Sequence, residues 1–312
     1  MNRSQIDATI ERAYNLLGVN RPREAVDLLT TNNETPTSAR ALAALAQAYI
    51  DLDQPSDAHH AATSAAAQDP NLLSAWSLQS TALVKLGRPE LALAPILHAM
   101  TLAPNDAYIH ARASDVYRRN GDGNRAMAHA QVANELAPDS EYGWDAMCRI
   151  YVASEEWANV HFAATNMLQI NPESTTGKTF LGLAQTAGAG LTLNAAGMET
   201  LISVLRSDPS KQNVRQLLLA LAKPRFPIPP LARLAMLISV PFGGGGVIAI
   251  VWSAITIGHW LQLPKDVRRL VWSDRSAKIR IVGSLAIAVA IVAAFIAVFV
   301  VVGIQAFESS GT

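Results

Sequence analysis

The stretch "TLAPND" at residues 101–106 is followed one period later by a near-copy, "ELAPDS", at 135–140. Pro70, Pro104, Pro138 and Pro172 stand 34 residues apart, each after an apolar, mostly helix-forming run. Proline cannot continue a helix and pushes the residue before it out of the helical region. Four such stops on one fixed period mark an internal repeat, and a repeat decides the fold before any other feature.

The same register can be followed at other positions. Ala46, Ser80, Ser114, Cys148 and Gly182 form a ladder of small residues. Ala58, Ala92, Ala126 and Val160 form a second, and Ala65, Ala99, Ala133 and Met167 a third. A fourth is large (Tyr49, Leu83, Tyr117, Tyr151, Gln185), and a fifth includes Trp76 and Trp144. Each unit reads as two antiparallel helices of about 12–15 residues with helix-like apolar spacing. In the third unit, "LSAWSLQSTALVKL" and "PELALAPILHAMTL" flank the turn residues Gly87 and Arg88. Small residues are required where helix axes approach closest, and large ones fill the spaces between hairpins.

This pattern resembles the tetratricopeptide repeat, whose signature is a Trp-Leu-Gly-Tyr-Ala-Phe-Ala-Pro series on a 34-residue period. The resemblance implies an all-α solenoid with repeats at about 5–38, 39–72, 73–106, 107–140, 141–174 and 175–209, closed by a helix over 210–222. The sixth unit keeps Gly182 and Pro209 with about three extra residues around "GAGLTLN". In the first, Ala25 falls one residue late against its ladder and Arg12 occupies the small position, as in a terminal repeat with a shortened loop.

After the proline-rich linker "KPRFPIPP" (223–230) the composition changes. Residues 1–222 carry 16 basic against 22 acidic side chains, whereas 223–280 carry 9 against 2, so the zero net charge hides a split. Neither part has the basic character of a nucleic-acid-binding domain. Residues 281–304 are 24 uncharged, mostly apolar positions, enough to cross a hydrocarbon core about 30 Å thick. A first membrane segment, 231–263, is interrupted by "PFGGGG" at 241–246. It reads either as one span from about 247 or as a re-entrant hairpin, with Trp252, Trp260 and Trp272 as interface markers. The loop 264–280 has six basic residues against two acidic, which favours the cytoplasmic side. The N-terminus shows no signal-peptide pattern. Two full crossings would put loop and repeats on opposite sides, and the expectation is a cytoplasmic repeat domain followed by a short tail, 305–312. Alanine abundance points to a bacterial inner membrane. Ala286, Ala290 and Ala294, four residues apart, offer a close-packing stripe for self-association.

Candidate chemistry is sparse. "PESTTGKT" (172–179) ends like a phosphate-binding loop, but Pro172 replaces the first glycine and belongs to the repeat ladder. Cys148, the sole cysteine, falls on the small ladder, where a packing role is expected. His59, His60, His98, His110, His129 and His161 are scattered over different repeats without metal-ligand spacing, and His259 lies in an apolar segment. No catalytic, cofactor or metal site is expected, and the enzyme reading has no residues to rest on.

In tetratricopeptide arrays the first helix of each hairpin lines a concave groove that takes extended or helical peptides. Carried onto this register, the resemblance places Tyr108, Arg112, Asp115 and Arg119 in that groove, with Tyr142, Asp145 and Arg149 from the next repeat. Tyr and Arg are enriched at binding hot spots. The Lys and Asn set of the family's clamp for acidic chaperone tails is absent. The expected function is a membrane-anchored, non-enzymatic scaffold for a protein partner. The alternative is a subunit of an export or envelope-assembly complex in which the glycine-broken segment is working machinery.

Overall fold

A computed structural model describes residues 3–30, 38–187, 194–222 and 260–274, and every regular element among them is an α-helix. The chain divides into two compact units, Met1–Gly177 and Lys178–Thr312.

The first unit is a row of helical hairpins: α1 (Arg3–Gly18) with α2 (Pro22–Thr30), α3 (Ala39–Asp51) with α4 (Pro55–Gln68), and α5 (Leu73–Lys85) with α6 (Pro89–Leu102). It continues through α7 (Ala107–Arg119) with α8 (Gly123–Leu136), then α9 (Tyr142–Ala153) with α10 (Trp157–Ile170). Prolines at the first position of α4 and α6 cost nothing there, because that N–H has no helical partner. Asp106 and Asp122 cap α7 and α8, accepting the amides of Ile109 and Arg125 at 3.1 and 3.0 Å.

The small ladders mark the close approaches within each hairpin. Ala46 and Ala58, Ser80 and Ala92, Ser114 and Ala126, and Cys148 and Val160 are all buried. Their separation in sequence is constant, and two of the pairs show why. The Ser80 hydroxyl donates to the Ala92 carbonyl at 3.0 Å, and the Cys148 thiol lies 3.9 Å from the Val160 carbonyl. The first ladder therefore rests on the backbone of the second, and a larger side chain would separate the helices.

The large ladder has a backbone task as well. At each hairpin turn an amide bonds back to its carbonyl: Gln54 to Tyr49, Arg88 to Leu83, Asp122 to Tyr117 and Glu156 to Tyr151, at 2.8–2.9 Å. This closure is a Schellman cap, which needs a left-handed residue just before the donating amide. Asp53, Gly87, Gly121 and Glu155 fill that place, with φ between 56 and 81°. Two of the four are not glycine and carry the steric cost of that conformation.

The first hairpin shows where its irregularity lies. Arg21 bonds to Leu16 and Asn20 is left-handed, so the α1–α2 turn has full length. Ala13 and Ala25 are both fully buried, each one residue late against Ala46 and Ala58. The missing residue therefore falls between Ala25 and Ala46, and Ala13 rather than Arg12 supplies the small contact.

The second unit holds most of α11 (Thr175–Ala187), which starts at the end of the first, then α12 (Ala195–Ser207) and α13 (Gln212–Leu221). Gly182 and Gly197 replace the two small ladders, and a β-carbon on either would stand 3.0 Å from the other's carbonyl. Their separation is three residues longer than in the other hairpins, which accounts for the extra length of the connection.

Residues expected within the basic loop 264–280 instead form a helix, α14 (Lys265–Ser273). Leu263, Val267 and Val271 are buried with Leu201, Val214, Leu218 and Leu221 in one apolar cluster. Arg206 pairs with Asp266 on α14 and with Glu199 at 2.9 Å. Leu263 thus belongs to the closing core, which corrects its assignment to the end of a membrane segment. The apolar spacing of Leu263, Val267 and Val271 explains the helix; the basic residues occupy its other sides. Among the described residues no helix is long and apolar enough to cross a membrane. The expected segments 231–259 and 281–304, with Trp252, His259 and the Ala286–Ala290–Ala294 stripe, lie outside the described residues.

Candidate functional site

Within the first unit, first helices of successive hairpins pack on each other, α3 on α5, α5 on α7 and α7 on α9. Each second helix packs on its own partner and on the next first helix, as α4 does on α5 and α8 on α9. First helices therefore crowd together on the inner side of the row, and α7 and α9 are adjacent there.

All seven sequence-selected residues lie on these two helices, at spacings that align them along one side of each. Tyr108 and Tyr142, one repeat apart, meet edge to face at 5.5 Å. The Arg112 guanidinium lies over the Tyr108 ring, 4.9 Å from its centre, a favourable cation–π arrangement. Arg112 enters no salt bridge among the described residues, and Tyr142 is 46% exposed. Farther along α7, Asp115 pairs with Arg118 at 2.5 Å and with Arg119 at 3.9 Å. On α9, Asp145 receives both Nε and Nη2 of Arg149, at 2.9 and 3.1 Å. Burial works against the Arg149 charge, but Asp145 and then Asp115, one repeat back, outweigh it and raise its pKa.

The seven residues thus form an aromatic–cation cluster at one end and an interleaved ion-pair stripe at the other. Arg118 belongs to that stripe, and its three-residue spacing from Asp115 was the signal that could have found it. With it, four guanidinium groups stand against two carboxylates, an excess suited to an anionic ligand. Arg149 and Asp145 are 45% and 29% exposed, and a partly exposed pair of that kind contributes little to stability, which leaves it available for exchange with a partner.

A second constellation escaped the sequence reading. His110 and His129 approach through their Nδ1 atoms at 3.1 Å, and His129 stacks on Tyr117 at 5.2 Å. The Arg125 guanidinium lies 5.7 Å from the same tyrosine ring. Burial first, then His110 and Arg125, push the His129 pKa below its ordinary value. His110 is the missing rung of the tryptophan ladder, and that register was the available clue.

Two suspected reactive features are structural. In "PESTTGKT", Ser174 caps α11 by accepting the Gly177 amide at 3.1 Å and itself bonds to Glu141. A β-carbon on Gly177 would lie 3.1 Å from Leu168, so its glycine serves packing. Cys148 is fully buried, 4.0 Å from the Met167 sulfur, and burial first and Asp145 second push its thiol pKa up to about 12. Among the described residues no cluster of three His, Cys, Asp or Glu side chains could hold a metal ion.

No protein-family model matches this chain, and no curated protein does. Solved structures do. A thermophilic TPR protein of Thermus thermophilus, TTC0263, is 21% identical, with 57% of this chain and 98% of that one aligned at a TM-score of 0.54. The fold is that of a tetratricopeptide-repeat array. The Cut9–Hcn1 assembly of the APC/C superposes over 88% of this chain at 14% identity and a TM-score of 0.58. This chain spans about half, 48%, of the length of that one. At these identities the likeness establishes the array and leaves its ligand to be argued from side chains.

Proposed function

We propose that the chain is a membrane-anchored, non-enzymatic scaffold that holds an acidic segment of a partner protein on the α7–α9 face. The observation that carries this reading is Arg112. It is poised over Tyr108 beside the half-exposed Tyr142, and among the described residues no carboxylate pairs with it. A partner carboxylate meeting Arg112 gains a charge-assisted hydrogen bond, and the two tyrosines supply rigid apolar area at small entropic cost. The ion pairs Asp115–Arg118 and Asp145–Arg149 extend the same stripe and fix the register of a longer segment. The uncharged run 281–304 supplies the anchor. Fixing the array to a membrane raises the partner's local concentration there without any new contact.

The test is capture of partners by the full-length chain from its own membranes, with Arg112→Glu and Arg125→Glu compared with the unaltered chain. Arg125, on the second helix of the same hairpin, is more exposed than Arg112 and already pairs with Asp122 at 3.5 Å. The partner should be lost with Arg112→Glu and kept with Arg125→Glu. Identical capture by all three would refute the reading.

A further inference from the structure

The second unit carries a contact with consequences for how the chain meets a bilayer. The repeat leaves this unit's core at Ala222, and the chain re-enters the same core at Leu263; both are buried in one cluster. The α14 helix is held there by Val267 and Val271, by Arg206–Asp266, and by the Arg215 side chain 3.5 Å from the Ser273 hydroxyl. Asp266 is held below the usual carboxylate range by Arg206, so the pair is charged at neutral pH.

The face of α14 turned away from this core is unlike an ordinary solvated surface. Trp272 is 50% exposed on α14 beside the exposed Lys265 and Arg269, and Leu261, just before the helix, is 64% exposed. Apolar side chains flanking a basic turn is the composition of a helix lying in a membrane interface, where tryptophan sits at headgroup depth and cations meet anionic lipid. The sequence continues only seven residues, 274–280, before the uncharged run at 281 begins. That short tether keeps α14 close to the bilayer once 281–304 is inserted.

We propose that the outer face of α14 rests on anionic phospholipid headgroups, on the same side of the bilayer as the repeats. This rests on the membrane anchor proposed above and deepens it. The shared core bears on the orientation conflict in the sequence. Because Ala222 and Leu263 share one core, both lie on the same side of a bilayer. The sequence then leaves the uncharged run 281–304 as the candidate for a full crossing. The basic stretch 264–280 and the repeats are cytoplasmic together, in keeping with the charge rule.

The test uses the full-length chain in native membranes, with Cys148→Ala as background, since alanine is what the ladder carries at Ala46. Single cysteines replace the exposed Asp139 on the repeats, Lys265 on α14, and Ser310 in the tail, and are probed with a membrane-impermeant maleimide on intact and inverted membranes. Retention after alkaline washing, with Asp139→Cys and Lys265→Cys reacting from one side and Ser310→Cys from the other, is the expected result. Retention with Asp139→Cys and Lys265→Cys reacting from opposite sides overturns this inference and leaves the anchor intact. Release by alkali overturns the anchor and this inference with it. For the headgroup contact, a polarity-sensitive fluorophore on Trp272→Cys is read in proteoliposomes. Its emission should shift to the blue when phosphatidylglycerol is added to phosphatidylcholine, and salt should reverse the shift. Emission indifferent to lipid charge would overturn the contact.

Discussion

Trp76 and His110 occupy the same position of successive repeats, and each turns a ring nitrogen onto the carbonyl of the repeat proline six residues earlier. Trp76 donates to Pro70 at 2.8 Å and His110 Nε2 lies 2.9 Å from the Pro104 oxygen. A proline turn offers a carbonyl no helix can use, and an aromatic N–H at this rung satisfies it. Trp76→Phe keeps most of the ring but removes the donor, and should lower stability by about 1 kcal/mol in urea unfolding.

The buried ladders make a sharper contrast. Ala92→Leu or Ala126→Leu places a branched side chain where two helices touch and should cost about 1–3 kcal/mol. Ala128→Leu, on the exposed side of α8, should change stability by less than about 0.5 kcal/mol. Gly143→Ala belongs with the first group, because its β-carbon would stand 2.7 Å from the Ala130 carbonyl.

The left-handed turn residues give a change of opposite sign. Glu155 is exposed and sits at φ 57°, so Glu155→Gly should stabilise by roughly 1 kcal/mol. Gly121→Ala, at φ 81°, should destabilise by about the same amount. Thermal unfolding of the two variants side by side checks both signs.

His129 gives a pH dependence. Its folded pKa lies below the ordinary value, which is about 6.5, so the unfolded chain binds the proton more readily. Its contribution is complete above about pH 6.5 and is lost as pH falls through the lowered folded value. Charged and titratable groups facing it are His110, Arg125 and Tyr117. Urea midpoints between pH 5 and 8 should fall on the acid side, and His129→Gln should flatten that slope.

Much of the array was legible because its constraints recur. A proline stop or a small contact read once is ambiguous; Pro70, Pro104, Pro138 and Pro172 on one period are not. What escaped were positions filled by chemically different residues doing one task. Asp53, Gly87, Gly121 and Glu155 share a backbone conformation and no side-chain class, and His110 stands in for tryptophan. The α14 helix was hidden for another reason. Its charge suggested a solvated loop, while its hold on the core depends on Leu263, Val267 and Val271 meeting α12 and α13, which are far away in sequence. The seven residues of α7 and α9 were selected through register, yet the distinction between Arg112 and the ion-paired Arg149 required the geometry.

The proposed scaffold holds its partner on the α7–α9 face. The most direct measurement is site-specific photocross-linking in the full-length chain in its own membranes, with the photoreactive side chain at Tyr142 and, for comparison, at Ala128 on α8. A discrete adduct from position 142, lost with Arg112→Glu and not formed from position 128, is the expected result. The same adduct from both positions, or one insensitive to Arg112→Glu, would show that the partner does not dock on the α7–α9 face.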